Sequence, residues 1–111
     1  QLGAPSIFTE RVDNVFTLRR GFEIPDGARV LMAEDIVTTG KSSLECIDCI
    51  SAFGGRVVAA SCLIDRSDGA VDLGVPLISL TGYKVPAYAE NDLPPSLAAT
   101  PAVKPGSRGL K

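Results

Sequence analysis

Along the chain, apolar residues gather first into short β-prone runs and then into a helical row. SIFTE (6–10) and VFTLRR (15–20) are separated by RVDN. The Asp-Asn pair is a turn signal, so a hairpin or a paired excursion is predicted there. EIPDGA follows, its Pro25 and Asp26-Gly27 marking a tight turn. RVLMAED (29–35) reads as a continuous apolar strand of the kind buried on both faces of a parallel sheet. From Ser42 to Phe53 the spacing turns helical: Leu44, Ile47, Ile50 and Phe53 form one row, and Glu45 and Asp48 take another, solvated face. Gly54 and Gly55 stop the helix. RVVAASCLI (56–64) is a second buried strand, DRSDGA (65–70) a polar loop at its carboxyl end, and PLISLT (76–81) a third strand.

Residues 29–64 thus read strand, loop, helix, strand. That is one βαβ unit, which implies a right-handed crossover, a parallel sheet and an α/β fold. After Asn91 the pattern changes. Pro94, Pro95, Pro101 and Pro105 interrupt a stretch without a period, so 92–111 is expected to be an extended, surface-packed tail. At the other end, QLGAPS reads like the closing turn of a helix with a Gly cap and a following proline, so upstream sequence is expected before Gln1. No internal repeat is visible.

A length of 111 residues suits one small domain. Hydrophobic residues at 45% and charged residues at 22% describe a globular chain rather than a disordered one. The formal charge of −2 argues against nucleic-acid binding driven by bulk charge. Three cysteines cannot all pair, and no stretch reads as a signal peptide or a membrane span, so reduced thiols in the cytosol are expected. The absence of histidine excludes any His-based triad, proton shuttle or His-ligated metal within the chain.

The chemistry gathers in DIVTTGKSS, the loop after the first parallel strand, where open α/β sheets bind ligands. Gly40 lets backbone amides approach an anion, and Thr38, Thr39, Ser42 and Ser43 add hydroxyl donors just before the helix. Gly40-Lys41-Ser42 invites a nucleotide-triphosphate reading, but that motif needs a glycine where Asp35 stands, and a carboxylate there would repel a polyphosphate. Glu34 and Asp35 fit a ligand that carries vicinal hydroxyls as well as a phosphate, since hydrogen bonds to charged groups contribute about 1.5–3 kcal/mol. A ribose 5-phosphate meets both demands.

VLMAEDIVTTGKS resembles the phosphoribosyl diphosphate (PRPP) signature of type I phosphoribosyltransferases. FTERVDNVFTLRRGFEI before it, LIDRSDG after it and the ending PAVKPGSRG are similar to bacterial orotate phosphoribosyltransferases, a likeness that runs through essentially the whole chain. The resemblance implies transfer of phosphoribosyl from PRPP to orotate, with Mg²⁺ carried by PRPP and no protein side chain assigned as a metal ligand. It implies that Glu34 and Asp35 hold the ribose hydroxyls. Thr38, Thr39, Gly40 and Ser42 would hold the 5′-phosphate, with the backbone of Ile36, Val37 and Lys41. Thr38 and Arg66 would meet orotate, Arg66 at its carboxylate. Residues 11–21 would be the mobile catalytic loop, between strands at 5–10 and 15–20, and its cations are Arg11, Arg19 and Arg20. Arg11 and Arg20 are the expected catalytic cations, although better-known members carry Lys and His in that loop.

Residues 1–91 are therefore expected to be the C-terminal part of a parallel-sheet phosphoribosyltransferase core. The N-terminal part of that core, with its pyrophosphate loop and orotate hood, is not in this sequence. A homodimer is implied, with Arg19 or Arg20 acting in the neighbour's site, together with a requirement for the N-terminal segment and no membrane or nucleic-acid partner. Two other readings stay open: a truncated or regulatory PRPP-binding module without turnover, and a transferase for another base. Simpler roles also stand beside these. Arg66 can be a surface residue next to Asp65 and Asp68, and the three hairpin arginines a solvated face. Cys46, Cys49 and Cys62 lack the fourth ligand that zinc needs and read as buried, inert thiols.

Overall fold

The structure, a computed structural model, describes residues 3–86, 88–101 and 103. Gln1 and Leu2, read from sequence as the end of a helix, lie outside them, as does most of PAVKPGSRG.

The first element pair is a hairpin of β1 (Thr9–Val12) and β2 (Val15–Leu18), antiparallel with Thr9 opposite Leu18 and Val12 opposite Val15. Asp13 and Asn14 alone form the turn. Both have positive φ, 49° and 66°, the two-residue geometry whose twist matches the strands and which Asn and Asp tolerate better than other side-chain-bearing residues. Arg11 and Val12, which the sequence pattern placed in the turn, are paired strand residues instead. Much of the segment expected to be a loop from Arg11 to Gly21 is therefore ladder. Phe8 and Phe22 meet edge to face at 5.0 Å.

The second sheet holds β3 (Arg29–Val37), β4 (Arg56–Asp65) and β5 (Leu77–Gly82) in the order β3-β4-β5, all parallel. α1 (Lys41–Ala52) makes the crossover from β3 to β4, as the βαβ pattern requires. From β4 to β5 the chain crosses through 66–76 without a helix, yet that loop supplies Leu73, Val71 and Val75 to the core beside Met32, Ile50, Val57 and Ala60. Each aliphatic side chain fully buried here contributes about 1.5–3 kcal/mol.

Two details depart from the sequence reading. α1 buries Ser43, Cys49 and Ile50, while Leu44 and Phe53 are exposed. At 3.6 residues per turn, a row spaced by three slips about 60° each step, so its two ends swing off the buried stripe. The second departure concerns β3, expected to be buried on both faces. α1 and the 66–76 loop cover one face only; on the other, Leu31, Leu63, Ile78 and Leu80 are more than half exposed among the described residues. Beyond β5, Glu90–Asp92 form a 3-10 turn and α2 (Pro95–Ala98) a single helical turn, whose Pro95 sits at the start where its missing N–H costs nothing. No helix of the described residues is long and apolar enough to cross a membrane.

Candidate functional site

The site is built where β3 ends, the chain turns at 38–40 and α1 begins. Gly40 makes this junction. Its φ is 74°, and a Cβ there would sit 2.5 Å from Val71 Cγ1, so both conformation and space exclude a side chain. The N-cap of α1 is Gly40, which has no side chain to cap the helix, so its first-turn amides receive no acceptor from that position. Val37 is buried and anchors the turn; Thr38, Thr39, Lys41 and Ser42 are exposed around it, and Ile36 is exposed at the strand end. Thr39 Oγ1 accepts from the Lys41 N–H at 3.4 Å. An exposed rim of hydroxyls over uncapped amides is a surface that suits an anion.

The two adjacent carboxylates differ in setting. Glu34 is half-buried, and its Oε2 accepts from the Ser43 hydroxyl at 2.8 Å. Asp35 is exposed, and its Oδ1 accepts from the Ile36 N–H at 2.8 Å. Successive strand residues point to opposite sides, which gives one acid a partner in α1 and leaves the other open. Ser43, counted from sequence only as a hydroxyl donor of the loop, is buried and serves Glu34.

The second loop, 65–70, is tied to the first. The Arg66 N–H donates to the Val37 carbonyl at 2.8 Å, continuing the β3–β4 pairing past the strand ends. The Arg66 Nε is buried and has no partner among the described residues. A buried donor without an acceptor costs about 1–3 kcal/mol. Asp65 shapes the loop, a role that treating it only as a neighbouring charge had missed. Its buried carboxylate accepts from the Ser67 N–H at 2.8 Å, the Ser67 hydroxyl at 2.6 Å and the Gly69 N–H at 2.9 Å. The Ser67 hydroxyl, and after it the two amides, hold its pKa below the ordinary carboxylate value against the opposing effect of burial. The Asp-x-Ser spacing was the available signal, since Asp side chains bond the backbone two residues on.

Both expected catalytic cations are engaged. Arg20 makes a two-point pair with Glu10, at 3.1 and 3.0 Å, over the Phe8 ring. Arg11 reaches Glu45 and Ser42 across the gap to α1, so Glu45 is an ion-pair partner rather than a free solvated residue. An open groove of about 370 Å³ between hairpin and helix is lined by Phe16, Glu45, Cys49 and Phe53 among others, and by none of residues 34–42. The cysteines are free, and burial raises all three thiols above their usual pKa, which disfavours the thiolate. Among the described residues no three His, Cys, Asp or Glu side chains are grouped to hold a metal ion.

No family model matches the chain. Among curated proteins, it is 57% identical over 110 residues to the orotate phosphoribosyltransferase of Maricaulis maris, an alignment covering 99% of this chain and 57% of that protein. The orotate phosphoribosyltransferases of Brucella canis and Brucella ovis are each 59% identical over 109 residues, 98% of this chain and 56% of theirs. The chain spans a little over half the length of these relatives. Identity at this level across nearly every residue means that the chain belongs to the orotate phosphoribosyltransferase family.

Proposed function

We propose that the chain carries the substrate loops of an orotate phosphoribosyltransferase, which joins PRPP and orotate to give orotidine 5′-monophosphate and pyrophosphate. The observation that carries this reading is the tie between the two loops: the bond from the Arg66 N–H to the Val37 carbonyl sets Arg66 beside the Thr-Thr-Gly turn, which begins at the residue after Val37. A phosphate acceptor and a carboxylate acceptor are wanted side by side. The names of the relatives supply a substrate pair with those groups.

In this reading Thr38, Thr39, Gly40 and Ser42 hold the 5′-phosphate with the amides of Ile36, Val37 and Lys41. Asp35 and the other oxygen of Glu34 accept hydrogen bonds from the ribose hydroxyls. Arg66 and Thr38 orient orotate. The bond from the anomeric carbon to pyrophosphate breaks, its electron pair leaving with pyrophosphate, and a ring nitrogen of orotate, its proton given up to solvent, bonds to that carbon. Positive charge grows on the ribose meanwhile, and nearby carboxylates lower its cost. Mg²⁺ brought in with PRPP would supply positive charge to offset that of the diphosphate, and no side chain of this chain is assigned to hold it.

A cytosolic homodimer completes the reading, and three free cysteines suit a reducing compartment. For Arg20 to serve a neighbour's site it must first leave Glu10. The engaged cations also favour a second reading: PRPP binding without turnover.

Calorimetric titration of the chain with PRPP and Mg²⁺, beside Asp35→Asn, tests the site. Saturable binding weakened at least tenfold in the variant is expected, the loss of a charged hydrogen bond of about 1.5–3 kcal/mol. Unchanged affinity in Asp35→Asn would remove Asp35 from the ribose. Orotate turnover by the same sample separates transferase from binding module.

A further inference from the structure

The position of Arg11 is over-determined for a surface arginine. Its Nη2 donates to the Ser42 hydroxyl oxygen at 3.3 Å and also meets the Glu45 carboxylate. Its Nη1 donates to the Asn14 carbonyl at 2.8 Å, and the guanidinium lies 4.0 Å from the centre of the Phe16 ring. Contacts from the hairpin turn, β2 and two successive turns of α1 therefore converge on one cation. The ion pair alone is half-exposed and contributes little; what the four contacts achieve is a fixed position for the charge.

We infer that Arg11 is a ligand of the 5′-phosphate of PRPP, supplied by the same chain that carries the Thr-Thr-Gly turn. This rests on the reading of that turn as the PRPP cradle. Ser42 accepts from Arg11 through an oxygen lone pair, so its own proton stays free to donate. A phosphate that takes the Ser42 proton lies within reach of the guanidinium, which is always charged and presents paired donors to oxyanions. Pyrophosphate departs from the opposite end of the ribose, so a cation clamped at Ser42 serves the phosphate that stays. Glu45 has two effects. It holds Arg11 over the cradle, and it places a negative charge where an anion must bind, a charge that Arg11 offsets.

The two effects give predictions of opposite sign. Arg11→Ala removes the ligand and exposes the anion to Glu45. Glu45→Gln removes the repulsion while Phe16 and Asn14 still hold the arginine. The full chain is titrated with PRPP and Mg²⁺, and separately with ribose 5-phosphate, which lacks the diphosphate. Arg11→Ala should weaken both ligands by roughly tenfold or more. Glu45→Gln should tighten both, Arg11→Lys should keep part of the affinity, and the Arg11→Ala, Glu45→Gln pair should fall between its singles.

Weakening of PRPP alone would assign Arg11 to the diphosphate and overturn the proposal while leaving the cradle intact. A lowered melting temperature with both affinities unchanged would make Arg11 a staple between hairpin and helix, again overturning it. Binding of PRPP but not ribose 5-phosphate by the parent chain would also count against it. Failure of the parent to bind either ligand would instead remove the cradle itself, and the inference with it.

Discussion

At the scale of single residues, the carboxylates show how context separates one side chain from another. Glu34, Asp35 and Asp65 lie at the carboxyl ends of neighbouring strands, yet one leans on a buried hydroxyl, one is open, and one is closed over its own loop. Asp65 accepts three donors, so its folded pKa is depressed. The stability it contributes is fully present above the ordinary carboxylate value of 3.8 and is lost as pH falls through the lower folded value. Asp65→Asn should therefore destabilise the fold by about 1–3 kcal/mol at neutral pH. Below the folded pKa the parent loses the same advantage. Urea midpoints at pH 7 and pH 3 check this: the gap between parent and variant should shrink at the lower pH, and a constant gap would point to packing instead of charge.

At the scale of elements, the β3–α1 junction was the most legible part of the chain. A strand, two acids, hydroxyls and a glycine before a helical row specify a turn that presents amides, and Gly40 takes the left-handed conformation that such a turn uses. Gly40→Ala adds a methyl group against Val71 and strains the backbone. A cost of about 1–3 kcal/mol is expected, read as a lower melting temperature, together with weaker PRPP binding. Normal binding in a destabilised variant would show that the turn tolerates displacement. Helix orientation was less legible. The row from Leu44 to Phe53 identifies a helix, but which residues touch the sheet depends on where β3 and the 66–76 loop lie: Ser43 meets Glu34 and Ile50 joins the core, while Cys49 lines the groove toward the hairpin.

At the scale of the whole molecule, the open face of β3-β4-β5 is the dominant feature. Leu80 is 81% exposed, and Leu31, Leu63 and Ile78 share its face. Apolar surface of this kind promotes association. The isolated chain should bind an apolar dye and associate at rising concentration. Leu63→Lys with Leu80→Lys should reduce both, with stability changed by no more than about 0.5 kcal/mol per site, as befits exposed positions. Sedimentation and dye fluorescence measure it. Unchanged association would place the sticky surface elsewhere.

What the sequence determined by itself is local: the β-prone runs, the Asp13-Asn14 turn, the helix, the βαβ order and the phosphate-type loop, because each depends on backbone preferences and spacing within a few residues. What only the tertiary structure decided is pairing at a distance. Arg11 belongs to Ser42 and Glu45, Glu34 to Ser43, and the Arg66 backbone to Val37. The burial of β3 on one face instead of two belongs here as well. An apolar run states that a strand can be buried, whereas the number of covered faces depends on which elements pack against it, and that packing is a property of the assembled molecule.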